Sequence, residues 1–284
     1  MKKFLALTAV LLSGAASFIS AEPLVLEKAG STIGANVIEL GLTDINYRHD
    51  YTIFVDDAGN ELSKLTSSSL SAPLFCRYGV TDRIEAFLQM PYVSAATKSE
   101  AGGSSSTDSK AYLADQVIGG KISLLDGDYK FGAGLSLALP FGEKKYRAGY
   151  DITPLMALSR DLGAAVVNAN LSYDLTAEYT DDSSQVKLNP GDVLSLGIGA
   201  EFACKKIESV SLLAEFLYSS IGQSSIAGTA QSGSSGSRME LDLGARYNRG
   251  SLKTKFGFGL SLGEEKFRSY DYRIIAGLTY LVNI

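Results

Sequence analysis

The chain holds one histidine, His49, beside Asp50, and two cysteines, Cys76 and Cys204. A histidine beside a carboxylate can act as general base for a serine hydroxyl. The outer-membrane phospholipase class uses such a Ser–His pair on a barrel wall. That chemistry needs a serine on a strand next to the histidine. The periodicity places His49 at the start of an external loop, with no such serine beside it. One histidine and two distant cysteines also lack the spacing of a metal site. The expectation is a protein that is not an enzyme and has no metal or cofactor. Cys76 and Cys204 read as unpaired thiols on opposite walls, out of disulfide range.

The remaining chemistry lies in charges that recur at alternate positions inside apolar runs. The basic members are Arg77, Lys121, Lys130, Arg246, Lys253, Lys255 and Arg273; the acidic ones are Glu85, Asp174, Glu201, Glu215, Glu240 and Asp242. Glu240 and Asp242 on one strand come within reach of Lys253 and Lys255 on the next. Such groups either brace a narrow interior as ion pairs or line a path and select solutes. A lining of mixed sign predicts no strong preference for anions or cations.

Strands that alternate with period two must position these groups. In 239–247, Met239, Leu241, Leu243, Ala245 and Tyr247 share one face, and Glu240, Asp242, Gly244 and Arg246 the other. The segments 129–140, 167–175, 252–262 and 272–284 read the same way, and no outward face carries a charge. Soluble strands average about 5–6 residues. These runs are about twice as long, and about ten residues tilted by ~40° cross the ~25 Å apolar band of an outer membrane. Further strands are expected near 36–47, 69–78, 84–93, 114–125, 151–160, 193–203 and 210–219, with a β-bulge at Thr43–Asp44. The fold class is therefore all-β: a transmembrane, antiparallel, up-and-down barrel of about twelve strands, about 24 Å across.

Short links near 79–83, 126–128, 161–163, 204–208 and 248–251 alternate with long ones near 48–68, 94–113, 141–150, 180–192, 220–237 and 263–269. Asp126-Gly127 is a two-residue hairpin signal. Short periplasmic turns and long external loops, with both termini in the periplasm, fit this alternation. The alternating glycines of 257–263 fall on the inward face, where they let the wall curve or approach a plug. Tyr78, Tyr129, Phe202 and Tyr247 fall at periplasmic strand ends, and Tyr92, Tyr179, Tyr218 and Tyr272 near the external ends, which gives two aromatic girdles. The alternating terminus Leu278, Tyr280, Val282, Ile284 resembles the assembly signal read by the barrel-assembly machinery, although the last residue there is usually Phe or Trp.

Lys2 and Lys3, the apolar stretch 4–12 and the small residues before Ala21 read as a signal peptide over 1–21, leaving 22–284 as the barrel. Without Lys2 and Lys3 the 26 basic residues become 24, against 31 acidic ones, a net charge of −7. A nucleic-acid partner needs clustered positive charge, so none is expected. The expected partners are outer-membrane lipid, the assembly machinery and a small-molecule solute.

The segment RYGVTDRIEAFLQMPY (77–92) resembles a hairpin of the outer-membrane family called "MetA-pathway of phenol degradation". GGKISLL (119–125), LALPFG (137–142), TPLMALSRDLG (153–163) and NANLSYDL (168–175) extend the resemblance in order and spacing. Gln116 and Phe141 depart from the family's pattern. The resemblance implies a porin-like channel or transporter for hydrophobic or aromatic compounds. The alternative is a structural or surface-interaction protein with a filled lumen.

Overall fold

The computed structural model describes residues 31–55, 61–101, 103–143, 150–180, 185–204, 207, 209–262 and 270–284. The segment 1–21, expected to be a signal peptide, lies outside the described residues. The strands are β1 (Val37–Val55), β2 (Glu61–Thr81), β3 (Ile84–Ala101), β4 (Ser104–Leu113), β5 (Gln116–Asp126), β6 (Tyr129–Leu139), β7 (Ile152–Asp161), β8 (Ala165–Asp174), β9 (Tyr179–Thr180), β10 (Lys187–Asn189), β11 (Val193–Ala203), β12 (Val210–Ile221), β13 (Ser225–Ile226), β14 (Thr229–Ala230), β15 (Gly236–Arg249), β16 (Leu252–Leu262) and β17 (Tyr272–Asn283).

All wall strands pair antiparallel with their neighbours, and β1 pairs with both β2 and β17, so the sheet closes on itself. β4 and β5 both pair with β3, above and below a break at Ala114–Asp115, and act as one wall strand. With β9, β10, β13 and β14 outside the wall, the barrel has twelve strands, as the alternation requires. Closure leaves no edge within the membrane, where an unpaired backbone group would cost several kcal/mol.

The side chains are sorted inside out relative to a soluble protein. Leu135, Met156, Leu212, Leu243, Phe256 and Leu278 face outward and are more than half exposed, while charged and amide groups are buried inside. A continuous apolar surface of this size is not left in water by a monomeric protein; it requires lipid. The chain is an outer-membrane β-barrel. Tyr78, Tyr129 and Phe202 stand exposed at periplasmic strand ends, and Tyr92 and Tyr218 toward the external ends. The Arg160 guanidinium lies 4.7 Å over the Tyr129 ring at the periplasmic rim. Tyr179 departs from this pattern: it sits in β9, part of a small four-stranded sheet formed where the 176–192 and 222–235 links meet.

The register slip in β1 lies where expected, between Leu42 and Ile45. The Asp126-Gly127 hairpin is tight, with Asp126 opposite Lys130. The links at 48–68 and 94–113 are corrected. Their described residues, 48–55, 61–68, 94–101 and 103–113, are mostly not loop but continuations of β1, β2, β3 and β4, paired to Val55↔Glu61 and Ala101↔Ser104. Serine- and threonine-rich segments lose the apolar alternation once they leave lipid, yet they still meet the backbone pairing requirement of a hairpin. The Ser232–Ser237 stretch also ends in strand, at β15.

Candidate functional site

The lumen is the candidate site, and alternation along each strand sets which side chains reach it. Arg77, Glu85, Asp174, Glu215, Glu240, Asp242, Arg246 and Arg273 are all buried on inward positions, and Lys121, Glu201 and Lys255 nearly so. Lys130 points inward from the periplasmic end but is more exposed, 4.0 Å from Asp126. Arg246 Nη1 donates to Glu201 at 3.1 Å, reaching over β12 to β11.

The expected pairing of Glu240 and Asp242 with Lys253 and Lys255 is corrected. Asp242 is opposite Gly259, and Gly259 is opposite Arg273. Because Gly259 has no side chain, Arg273 reaches over it: its Nε donates to Asp242 Oδ1 at 2.9 Å, and its Nη2 contacts Glu240 at 3.3 Å and Asp242. A methyl group on Gly259 would clash first with Asp242 Oδ1 and then, at 2.8 Å, with Arg273 Nε. The inward glycine thus makes room for a buried ion pair, which gives its position a steric reason. Lys253 instead contacts Glu39 at 3.3 Å, and Lys255 pairs with Asp44 in the bulge of β1.

Two clusters follow. In the external half, Arg48, Arg238 and Arg273 gather around Glu240 and Asp242. Tyr270 enters from the link before β17. It is fully buried, its hydroxyl donates to Glu240 Oε2 at 2.6 Å, and its ring lies 5.3 Å from the Arg273 guanidinium and 5.4 Å from that of Arg48. In the periplasmic half, Arg77 binds Glu39 through Nε at 3.1 Å and Glu85 through Nη1 at 3.3 Å, and Lys121 meets Glu85 at 3.0 Å.

Residues 31–36 turn back into the periplasmic mouth. Ile33 N–H donates to Glu85 Oε2 at 3.0 Å, Ala35 N–H to Asp82 Oδ1 at 3.1 Å, and Asn36 N–H to the Gly79 carbonyl at 2.9 Å. Between this segment and the wall of β1, β16 and β17 lies an open cavity of about 280 Å³. Sequence reasoning missed Glu39, Asp44, Arg48 and Arg238, although alternation in β1 and β15 marks Glu39, Arg48 and Arg238 as inward. No periodic signal marks Tyr270 or residues 31–36, because they lie outside the strands.

The opposite wall carries neutral pairs beside its carboxylates Asp174, Glu201 and Glu215. Ser159 Oγ donates to Asn168 Oδ1 at 2.8 Å, Ser195 and Ser219 hydroxyls lie 3.0 Å apart, and Thr153 Oγ1 donates to Asp174 Oδ1 at 2.7 Å. At its external rim, burial pushes the Asp151 carboxyl above the usual range. The nearby Asp174, Asp115 and Asp192 push the same way, against a hydrogen bond from Ala177 N–H.

His49 is a further correction. It lies within β1, not at a loop start, and Ser68 of β2 is directly opposite it. The His49 ring stacks on Tyr272, centroids 5.0 Å apart, and its Nδ1 has no hydrogen-bond partner. Cys76 and Cys204 are both free thiols.

No family model matches the chain, and no curated protein matches it in sequence. Among solved structures it is similar to the COG4313 outer membrane channel from Pseudomonas putida F1, with 17% identity and a TM-score of 0.68, covering 89% of this chain and 98% of that one. It is also similar to the transport unit of the autotransporter AIDA-I from Escherichia coli, with 11% identity and a TM-score of 0.56, covering 98% and 97%. At these identities the likeness establishes the closed barrel fold.

Proposed function

We propose that the barrel is an outer-membrane channel for small solutes, with its lumen charges lining the path. The observation that carries this reading is the polar, cavity-containing interior of a closed twelve-stranded wall. Eight strands are filled by side chains and sixteen leave a wide aqueous channel, so twelve permit a narrow one. The similarity to a structure described as an outer membrane channel supports it, and the solved structures cited are not enzymes. The hairpin motifs alone imply hydrophobic or aromatic solutes through their family resemblance. The lining is built of charges and hydroxyls, which favours polar ones.

A second reading has its own observation. The fully buried Tyr270–Arg273–Glu240 group and the inserted segment 31–36 fill part of the lumen, as a structural or surface-interaction barrel would require. Planar-bilayer recording of folded protein separates the two. A steady, voltage-independent current is expected for the channel. Silence from protein whose gel band still shifts on boiling would overturn the channel reading and favour the filled barrel.

A further inference from the structure

We propose that the periplasmic cavity is a binding site for a small hydroxylated carboxylate, about the size of a single sugar acid, held between Lys253 and Lys255. The assignment deepens the channel reading and rests on it, because the cavity lies on the proposed path.

Lys253 and Lys255 are two residues apart on β16, so both side chains line the cavity from one face of one strand. An ammonium carries three donors. Among the described residues each of these lysines meets one carboxylate, Glu39 for Lys253 and Asp44 for Lys255. The Lys253 contact is the looser, 3.3 Å with a side chain 35% exposed. Glu39 keeps Arg77 and the Thr279 hydroxyl, the latter at 2.8 Å, if Lys253 turns to a ligand. A carboxylate bridging the two lysines therefore replaces one weak contact without stranding a buried charge.

The rest of the lining defines the ligand's other end. Among the described residues Glu39 is the one carboxylate of the lining; Glu85, Glu201 and Asp44 behind it hold Arg77, Arg246 and Lys255, so the charge open to an anion is that of the loosely held Lys253, beside the spare donors of Lys255. Thr43, Thr279 and, from the inserted segment, Ser31 and Thr32 bring hydroxyl groups to the same space. A hydroxyl both donates and accepts, which matches a ligand that carries hydroxyls itself. The volume falls just below the ~300–1,000 Å³ typical of drug-sized ligand pockets, as a monosaccharide-sized occupant requires.

The test is calorimetry on the detergent-folded full chain with glucuronate, glucose, acetate and inorganic phosphate. The expected result is glucuronate binding at least tenfold tighter than the other three, and at least tenfold weaker in Lys253→Gln/Lys255→Gln protein that still shows the heat-modifiable band. Equal binding of glucuronate and glucose, tighter binding of phosphate, or unchanged binding in the double variant would overturn the site. Where the double variant does not fold, Lys253→Gln alone gives the same reading, because Glu39 retains Arg77. Bilayer current from the same preparation keeps the two proposals apart. Binding without current sinks the channel and keeps the site; current without binding sinks the site alone.

Discussion

The two walls of the lumen solve one problem by different means. Where β15, β16, β17 and β1 meet, buried polar groups are satisfied by full charges, with Arg273 held by Asp242 and Glu240 and capped by Tyr270. Across the barrel, β7, β8, β11 and β12 carry inward carboxylates at Asp174, Glu201 and Glu215 but also neutral pairs, Ser159 with Asn168 and Ser195 with Ser219. The charged wall is rigid because each member depends on the others: removing one partner of a buried pair leaves an uncompensated charge, at about 3–5 kcal/mol. A neutral hydrogen bond contributes only about 0.5–1.5 kcal/mol. The comparison teaches that the linked guanidinium–carboxylate cluster holds one side of the lumen, and that the neutral pairs of the other side can be altered at lower cost.

The largest effect is expected from Arg273→Met, which takes from Asp242 its bidentate partner, while Glu240 keeps Arg238 and the Tyr270 hydroxyl. Unfolding in urea with lipid vesicles should show a loss of about 3–5 kcal/mol; a loss below about 1 kcal/mol would erase the distinction between the walls. Gly259→Ala sharpens the same point without removing a charge. Its methyl group must displace both Asp242 and Arg273, and a loss of about 1–3 kcal/mol is expected from overpacking. The same measurement on Gly127→Ala, where an added methyl meets nothing within 4 Å, gives the background. On the neutral wall, Ser195→Ala removes one hydroxyl of the Ser195–Ser219 pair and should cost about 1 kcal/mol. A cost matching Arg273→Met would mean that the neutral wall is as cooperative as the charged one. The smallest effect belongs to Lys98→Ala, whose ion pair with Glu100 is exposed on the extension above the membrane. Exposed pairs contribute little, and the urea midpoint should not move.

Alternation carried most of the fold. It marked Arg77, Glu85, Arg246 and Arg273 as inward because a period of two leaves no other choice once the outward face must meet lipid. It failed at Ser63–Ser71 and Ser94–Ala101, where strands rise out of the membrane and both faces become polar. It also placed Glu240 and Asp242 beside Lys253 and Lys255. Proximity in sequence order is not register, and the observed register puts Asp242 in line with Gly259 and Arg273.

By itself, the sequence determined the strand number, the inward and outward faces, the bulge in β1 and the free thiols, because each follows from local spacing under a single external constraint, the bilayer. Only the tertiary structure decided which charges pair, that Tyr270 is clamped between two guanidinium groups, and that residues 31–36 enter the periplasmic mouth to shape a cavity. Those depend on barrel closure and on the stagger between distant strands. Closure brings Lys253 to Glu39 and Lys255 to Asp44 across more than two hundred residues of chain, and no local pattern encodes a contact made at that separation.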